Sequence, residues 1–507
     1  MKNTESKYIY YAWIILGIAF LSRIFYASTF PLIPDETNYW QWSRYLDFGY
    51  YDQSPMIGWA IRFFTSFLDH TELAVRLPSI CSTFITGIYI ILLCRRYLSD
   101  KTAFHCMIAV NAILIFNAGA ILATADALQA LGWTGATYHL LKAYDEDKLS
   151  EWMYGGFWFG FGMLSKYSAC LIGVFALLYG LSSAEKRIRL KSFKPYLGAI
   201  FGIIIFSPVI LWNIKYDWAS ARHVLYLGGG DTKGFLHIKY LIEYIGSQAG
   251  VISPVIFFFI IAAWLKSIKE SSWTLNYLFY TSASMIIFFA LLSIHSRMFA
   301  NWPSPGYIAG VILTCHYFAE NREKIFKIEK RYIWYFGLIL SFIPTILLLI
   351  QLNKRILPLP ASTDRISREV SGWKEAGREA KKFMDSMPDK TNTFYFGLKY
   401  QTASELAFYT PGKPYTVCIN KWSRPNVYDF WFKDKDLLKK DGIGLLISKN
   451  KLNNLKQVFE SVGDVKTIKV YREGLFIREI YIVKCFGFKG GLRWKPKDNS
   501  DIRYLGP

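Results

Sequence analysis

Three sets of ionisable residues sit where an apolar chain leaves them little water. Asp35 and Glu36 follow Pro34 at the end of the first apolar run, Asp126 lies in Ala123-Thr124-Ala125-Asp126-Ala127, and Lys166 lies in Leu164-Ser165-Lys166-Tyr167-Ser168. A carboxylate at a membrane boundary, partly shielded from water, can take the proton of an attacking hydroxyl. The other reading of Asp35 and Glu36 is capping of a helix that begins near Thr37. Asp126 has almost no polar loop around it, so it marks either a capped hairpin or a functional acid with a partner. Lys166 offers an ammonium group to a lipid-linked phosphate, or else snorkels to bulk headgroups.

Asp35 and Glu36 open a stretch from Pro34 to Pro78 that carries Tyr39-Trp40-Gln41-Trp42, then Gly49-Tyr50-Tyr51-Asp52-Gln53-Ser54-Pro55, and closes at Arg76-Leu77-Pro78. A mere connector between two spans needs only a few residues, so this long aromatic loop points to a site at the membrane surface. Tyr51, Asp52 and Gln53 are candidates to line a substrate groove, and Arg76 either clamps an anion or marks the interface. Pro55 to Leu68 reads as an amphipathic interfacial helix. A further run, His295 to Pro303, sets His295, Arg297 and Asn301 beside Trp302 as donors and an aromatic platform for sugar or phosphate.

The elements that must position these groups are mostly membrane spans. Of 507 residues 52% are hydrophobic and 19% charged, against a usual charged share of about 25%. Apolar runs near 9–30, 79–94, 103–123, 126–141, 152–165, 167–182, 196–213, 241–265, 273–293, 304–319 and 332–352 predict about eleven spans. The first is longer than a signal-peptide core and lacks a cleavage site, which makes it a retained anchor. Basic clusters at Arg95-Arg96, Lys186 to Lys194, Lys266/Lys269 and Arg322 to Arg331 fall at alternate span ends and mark the cytoplasmic loops. The acids, Lys166 and the His295 run then share the outer face. Only about 33 residues separate Glu151 from Glu185, where two full spans want about 40, so both helices are short and the Lys166 turn is sunken.

The expected organisation is a membrane domain over 1–353 with its first outer loop at 31–78, an outer α/β domain over 354–486, and a basic tail over 487–507. In the α/β domain a helix is expected from Glu369 to Met384, with strands at Thr393–Phe396, Ile443–Ser448, Val465–Tyr471 and Ile480–Val483. Residues 354–503 hold 30 basic and 17 acidic residues, an excess suited to anionic headgroups or phosphates. An outward position counts against nucleic acid as the partner. Cys418 and Cys485 either pair or are buried separately, and no cysteine pair has metal-ligand spacing. No nucleotide loop or zinc motif appears, so no cofactor is indicated, and a divalent metal stays open. Gly228-Gly229-Gly230 is read as a plain outer loop. A flippase or transporter would show internal repeats and midplane charges, which this sequence lacks.

Asp35-Glu36 with Tyr39-Trp40, the Gly49 to Pro55 run, Glu72 to Pro78, Leu164 to Tyr167 and Asn301-Trp302-Pro303 together resemble the bacterial branch of the protein mannosyltransferase-like glycosyltransferases, with the Rgt-type and aminoarabinose transferases among them. Tyr400-Gln401 to Tyr409 and Arg424 to Trp431 are similar to that family's outer domain. The resemblance implies a GT-C fold in an integral inner-membrane protein, a polyprenyl-phosphate sugar as donor, and transfer on the periplasmic side. It implies Asp35 as base with Asp126 as a second acid, and Lys166 and Arg76, with Arg297 beside them, as donor-phosphate ligands. A glycolipid acceptor such as lipid A is expected first and a protein hydroxyl second. The family's His-Pro-Pro is here Gln53-Ser54-Pro55, so no imidazole role carries over.

Overall fold

The computed structural model describes residues 2–229, 236–325, 327–495 and 501, with side chains from Lys7 onward. Gly230 of the glycine loop and most of the expected basic tail, 496–500 and 502–507, lie outside the described residues. The chain forms two compact units. The first comprises Met1–Ala27, Gln53–Ile57 and Arg76–Leu347; the second comprises Ser28–Asp52, Gly58–Val75 and Leu348–Pro507. The loop expected over 31–78 is therefore divided, most of it clustering with the C-terminal part of the chain.

Every expected span of the first unit is helical, but length and apolar composition carry fewer of them across a membrane than the eleven expected. Lys7–Ala27, Glu72–Tyr97, Lys194–Lys215, Trp273–Ser293 and Lys330–Asn353 qualify, five helices, or up to seven if each of two bent pairs is one span. The physical reason is length. Leu149–Ser165 has 17 residues, Cys170–Leu181 has 12 and Ser304–Phe318 has 15; at 1.5 Å per residue all fall short of an apolar core about 30 Å thick. The short pair around Lys166 is the one anticipated from the spacing of Glu151 and Glu185.

The bent pairs show how broken backbone is satisfied away from water. Asp100–Ala112 and Leu114–Ile121 meet at 73°. Asn117 Nδ2 donates to the Asn111 carbonyl at 2.9 Å, supplying a partner at the break, and also to the Ile113 carbonyl at 3.1 Å, which the Asn117 backbone N–H already reaches at 3.2 Å. Ile238–Ile252 and Pro254–Lys269 meet at 104°. There the proline cannot continue the preceding helix, and Ser341 Oγ caps the Ile252 carbonyl at 3.0 Å.

Leu149–Ser165 crosses Lys194–Lys215 through two glycine pairs spaced by four, Gly156/Gly160 and Gly198/Gly202. A Cβ on Gly156 would lie 2.0 Å from the Gly198 carbonyl oxygen, and one on Gly198 would lie 2.4 Å from that of Trp152. Backbones approach this closely only where both faces are small.

The second unit is built on a five-stranded sheet in the order Thr416–Cys418, Thr393–Gly397, Asp441–Leu446, Leu475–Phe488, Phe459–Arg472. The first three strands are parallel; the last two form an antiparallel hairpin paired to Asp441–Leu446. Apolar residues pack on both faces, one cluster including Trp373, Ala376, Ala380 and Leu406, the other Phe396, Leu455, Phe459 and Val483. Helix 369–384 proves to be two, Arg365–Val370 and Trp373–Asp385, broken where Gly372 takes φ +91°. The hairpin strands run well beyond the segments read from the sequence, and the last carries through Gly487 to Phe488, past the expected start of the basic tail. Leu492 is buried beyond it. Cys418 and Cys485 are both buried and unbridged. Two strands lie between theirs, which at about 4.8 Å per strand is too far for a disulfide.

The loop aromatics are core rather than surface. Trp40, Trp42, Tyr50 and Tyr51 are fully buried. Trp42 stacks on Tyr50 at 4.2 Å, and Trp40 Nε1 donates to His70 Nδ1 at 3.0 Å. The interfacial helix is present as Met56–Leu68, with Phe63 and Phe67 exposed.

The glycine crossing gives a direct test. Gly156→Val is expected to abolish recovery of monodisperse protein in detergent, whereas Gly246→Ala, whose new methyl meets nothing within 4 Å, is expected to purify normally. Equal recovery of both variants would show that the close approach is dispensable.

Candidate functional site

In the first unit, two residues read separately from the sequence form one ion pair. Asp126 sits in the first turn of the Ala125–Glu146 helix, and Lys166 is the residue that ends Leu149–Ser165. An acid at a helix start and a cation at a helix end are each favoured by the helix dipole. Lys166 Nζ lies 2.7 Å from Asp126 Oδ1, with both side chains 17% exposed. Asn301 Nδ2 donates to the other oxygen, Asp126 Oδ2, at 2.9 Å. One turn further along, Gln129 Nε2 donates to Ser168 Oγ at 2.7 Å and ties the same two segments again.

Of these residues Asp126 and Asn301 line a cavity of about 230 Å³. Asp126, Asn301, Thr124 and Ser304 contribute polar groups; Leu16, Ile90, Met107, Phe116, Leu122 and Ile308 are among its apolar walls. Arg23 and Asn111 also line it. An apolar cavity with a few convergent polar groups suits a lipid tail that carries a polar head.

In the second unit, the Pro34–Arg44 helix begins earlier than expected and separates the two neighbouring acids. Glu36 is fully buried, and its Oε2 accepts from the Ile33 backbone N–H at 2.9 Å, so it does the capping. Asp35 stays exposed on the first turn. Tyr400 Oη donates to Asp35 Oδ1 at a long 3.5 Å. Surrounding protein holds the Asp35 carboxyl above its ordinary pKa, the negative charges of Glu369 and Asp52 add to the rise, and Arg365 opposes it. Arg365 is itself paired with Glu369 at 2.5 Å. Asp52 Oδ1 pairs with Arg424 Nη1 at 2.9 Å, and that guanidinium lies 5.2 Å from the Tyr400 ring centre. Asp35, Tyr400, Arg424 and Asp52 thus form a connected polar chain.

Other candidates are placed elsewhere. Arg76 is fully buried and donates to the Ala27 carbonyl at 2.7 Å, satisfying the end of the first helix. Arg297 is 65% exposed and grips Glu243 through Nε at 2.9 Å and Nη2 at 3.1 Å. His295 is exposed, and Trp302 packs edge-on against Phe289. Tyr51 is buried 6.0 Å from the Phe430 ring, and Gln53 is half-buried in the first unit. Sequence reading passed over Arg23, Arg365, Tyr400 and Arg424 as site residues. Arg23 had a usable signal, a charge inside an apolar run. The others depend on pairings hundreds of residues apart. Among the described residues no three His, Cys, Asp or Glu side chains converge as a metal site would require.

A profile of the family described as dolichyl-phosphate-mannose-protein mannosyltransferase matches residues 52–212. The chain is 24% identical over 291 residues to the lipid A galacturonosyltransferase RgtD of Rhizobium johnstonii, covering 55% of this chain and 59% of that protein. It is 29% identical over 86 residues, 17% of each chain, to the lipopolysaccharide core galacturonosyltransferase RgtB of the same species. The chain therefore spans little more than half the length of the first of these relatives and a sixth of the second. Its fold is that of ArnT from Cupriavidus metallidurans, with a TM-score of 0.65 to the form bound to undecaprenyl phosphate, 13% identity, and coverage of 93% of this chain and 97% of that one. The archaeal oligosaccharyltransferase AglB from Archaeoglobus fulgidus, in complex with an inhibitory peptide and a dolichol-phosphate, gives a TM-score of 0.51 at 12% identity, over 86% of this chain and 69% of that one.

If the Asp126–Lys166 pair carries energy, Asp126→Asn and Lys166→Met each strand a partly buried charge. The double variant is then expected to be less destabilised than the sum of the singles, by about 1–3 kcal/mol in a double-mutant cycle on unfolding in micelles. Strict additivity would mean the contact contributes nothing.

Proposed function

We propose that this chain, a member of the PMT/ArnT/Rgt-type GT-C family by its matching domain and its fold, moves a sugar from a polyprenyl-phosphate carrier to a glycolipid, with lipid A or the lipopolysaccharide core as first candidate acceptor. One observation carries the reading: an apolar cavity that Asp126 and Asn301 line, with Lys166 paired to that Asp126. Its walls suit an isoprenoid and its polar end suits the phosphate. Lys166 gives one N–H to Asp126 and keeps two for an oxyanion. The name of RgtD supports a lipid A acceptor, and the undecaprenyl phosphate bound to ArnT supports the carrier.

In the reaction, an acceptor hydroxyl attacks the anomeric carbon, the bond from that carbon to the phosphate oxygen breaks, and the hydroxyl proton passes to a base. Asp35 is assigned that role, since a carboxyl held above its ordinary pKa is a stronger base than a free one. The leaving phosphate gains charge as the bond breaks, so Lys166 and Asn301 stabilise the transition state more than the ground state. A single displacement of this kind inverts the anomeric centre. The loops rich in Lys and Arg assign the cytoplasmic side, which leaves Asp35, Asp126 and Lys166 on the periplasmic side of the inner membrane. A protein hydroxyl as acceptor is the second reading, favoured by the description of the matching family.

Mass spectrometry of lipid A and core from cells with the intact gene, a deletion, and Asp35→Asn at matched expression tests this directly. The expected result is one sugar missing from both altered strains, with transfer by Asp35→Asn down about 100-fold or more. An unchanged glycolipid in the deletion would end the glycolipid reading, and a sugar lost only in the deletion would remove Asp35 as base. The pH profile has a fixed sign. Asp35 works deprotonated and its pKa is raised, so the rate of the purified enzyme is expected to fall with falling pH at a higher pH than an ordinary aspartate allows.

A further inference from the structure

One cation on the first unit's cavity lacks a counter-ion. Arg23 stands one turn before the end of the Lys2–Ala27 helix, is 7% exposed, and lines the same cavity as Asp126 and Asn301. Its Nη2 donates to Asn111 Oδ1 at 2.7 Å and Asn117 Oδ1 at 3.0 Å, two neutral acceptors. Among the described residues no carboxylate oxygen lies within 4.0 Å of the guanidinium, and Nε and Nη1 meet no protein acceptor. Lys166 differs in this respect, because Asp126 neutralises it at 2.7 Å.

Bracing the bend between Asp100–Ala112 and Leu114–Ile121 does not account for this charge. A neutral amide would donate equally well to the two asparagines, whereas a full charge in an apolar wall is costly unless an anion compensates it. A guanidinium with free N–H groups also presents the planar fork that oxyanions accept in pairs.

We propose that Arg23 is the anion-binding charge of this cavity and takes an oxyanion of the lipid-linked donor, either its phosphate or a carboxylate on its sugar. The inference rests on the donor reading above and adds a second cation to the Lys166 already assigned to the leaving phosphate.

The test uses the full chain in nanodiscs, titrated with undecaprenyl phosphate and with undecaprenol and read by native mass spectrometry. Wild type is expected to bind the phosphate at least tenfold more tightly than the alcohol. Two variants remove the free charge in different ways. Arg23→Gln deletes it; Asn111→Asp keeps the guanidinium and sets a carboxylate against it at nearly constant shape, which protects the test should the first variant fail to fold. Both are expected to lose most of the phosphate preference while binding undecaprenol as wild type does. An undecaprenyl-phosphate uronic acid, titrated beside its neutral hexose counterpart, separates the two sources. A loss confined to the uronic acid form assigns Arg23 to the sugar carboxylate, and a loss common to every phosphate ligand assigns it to the phosphate. Variants that retain all these preferences, or that lose alcohol and phosphate equally, would overturn the proposal and leave Arg23 as a brace. If wild type binds both lipids equally only this inference fails, whereas if it binds neither the donor reading fails with it.

Discussion

Lys166 and Asp126 sit at the ends of two helices with 2.7 Å between their charges, and the polar end of the first unit is arranged around keeping them there. Neither charge is well hydrated, so each needs the other. Asn301 holds the second oxygen of Asp126, and the Gln129–Ser168 bond fixes the spacing of the segments that carry the pair. Further along the same helix as Lys166, Gly156 and Gly160 seat that helix against Lys194–Lys215 with no room for a side chain between.

The same economy of polar groups explains the bent helices. Away from water a break in the ladder survives only if side chains take over its hydrogen bonds, and Asn117 does so at the 73° bend by donating to the Asn111 carbonyl. Those two asparagines also receive Arg23, so one polar cluster both satisfies the broken backbone and presents a cation to the cavity.

Much of this was legible in the residue order. The apolar runs located the helices, the crowding between Glu151 and Glu185 exposed the short pair around Lys166, and Asp126 announced a partner by its isolation. Three kinds of information were not. Span count was harder to read, because short buried helices are as apolar as long ones, and five to seven of the described helices, not eleven, are long and apolar enough to cross by themselves. The aromatic loop read as a site at the membrane surface, since an aromatic run looks alike whether it meets lipid, substrate or its own core; Trp40, Trp42 and Tyr50 are in the core. The roles of Asp35 and Glu36 turned on a helix start three residues earlier than read, which gave the cap to Glu36 and left Asp35 exposed. The runs that begin at Tyr400 and Arg424 stood out in the sequence, but their pairing with Asp35 and Asp52 is tertiary, so no local pattern could have joined them to that region.

The short helices have a consequence for the surrounding lipid. Twelve and 17 residues span about 18 and 26 Å, several ångström less than the usual hydrocarbon core. Lipids facing that side of the bundle must shorten or splay to keep apolar surface covered. Thinning of the leaflet beside Lys166 would bring lipid headgroups down toward the buried charges instead of requiring the protein to rise to them.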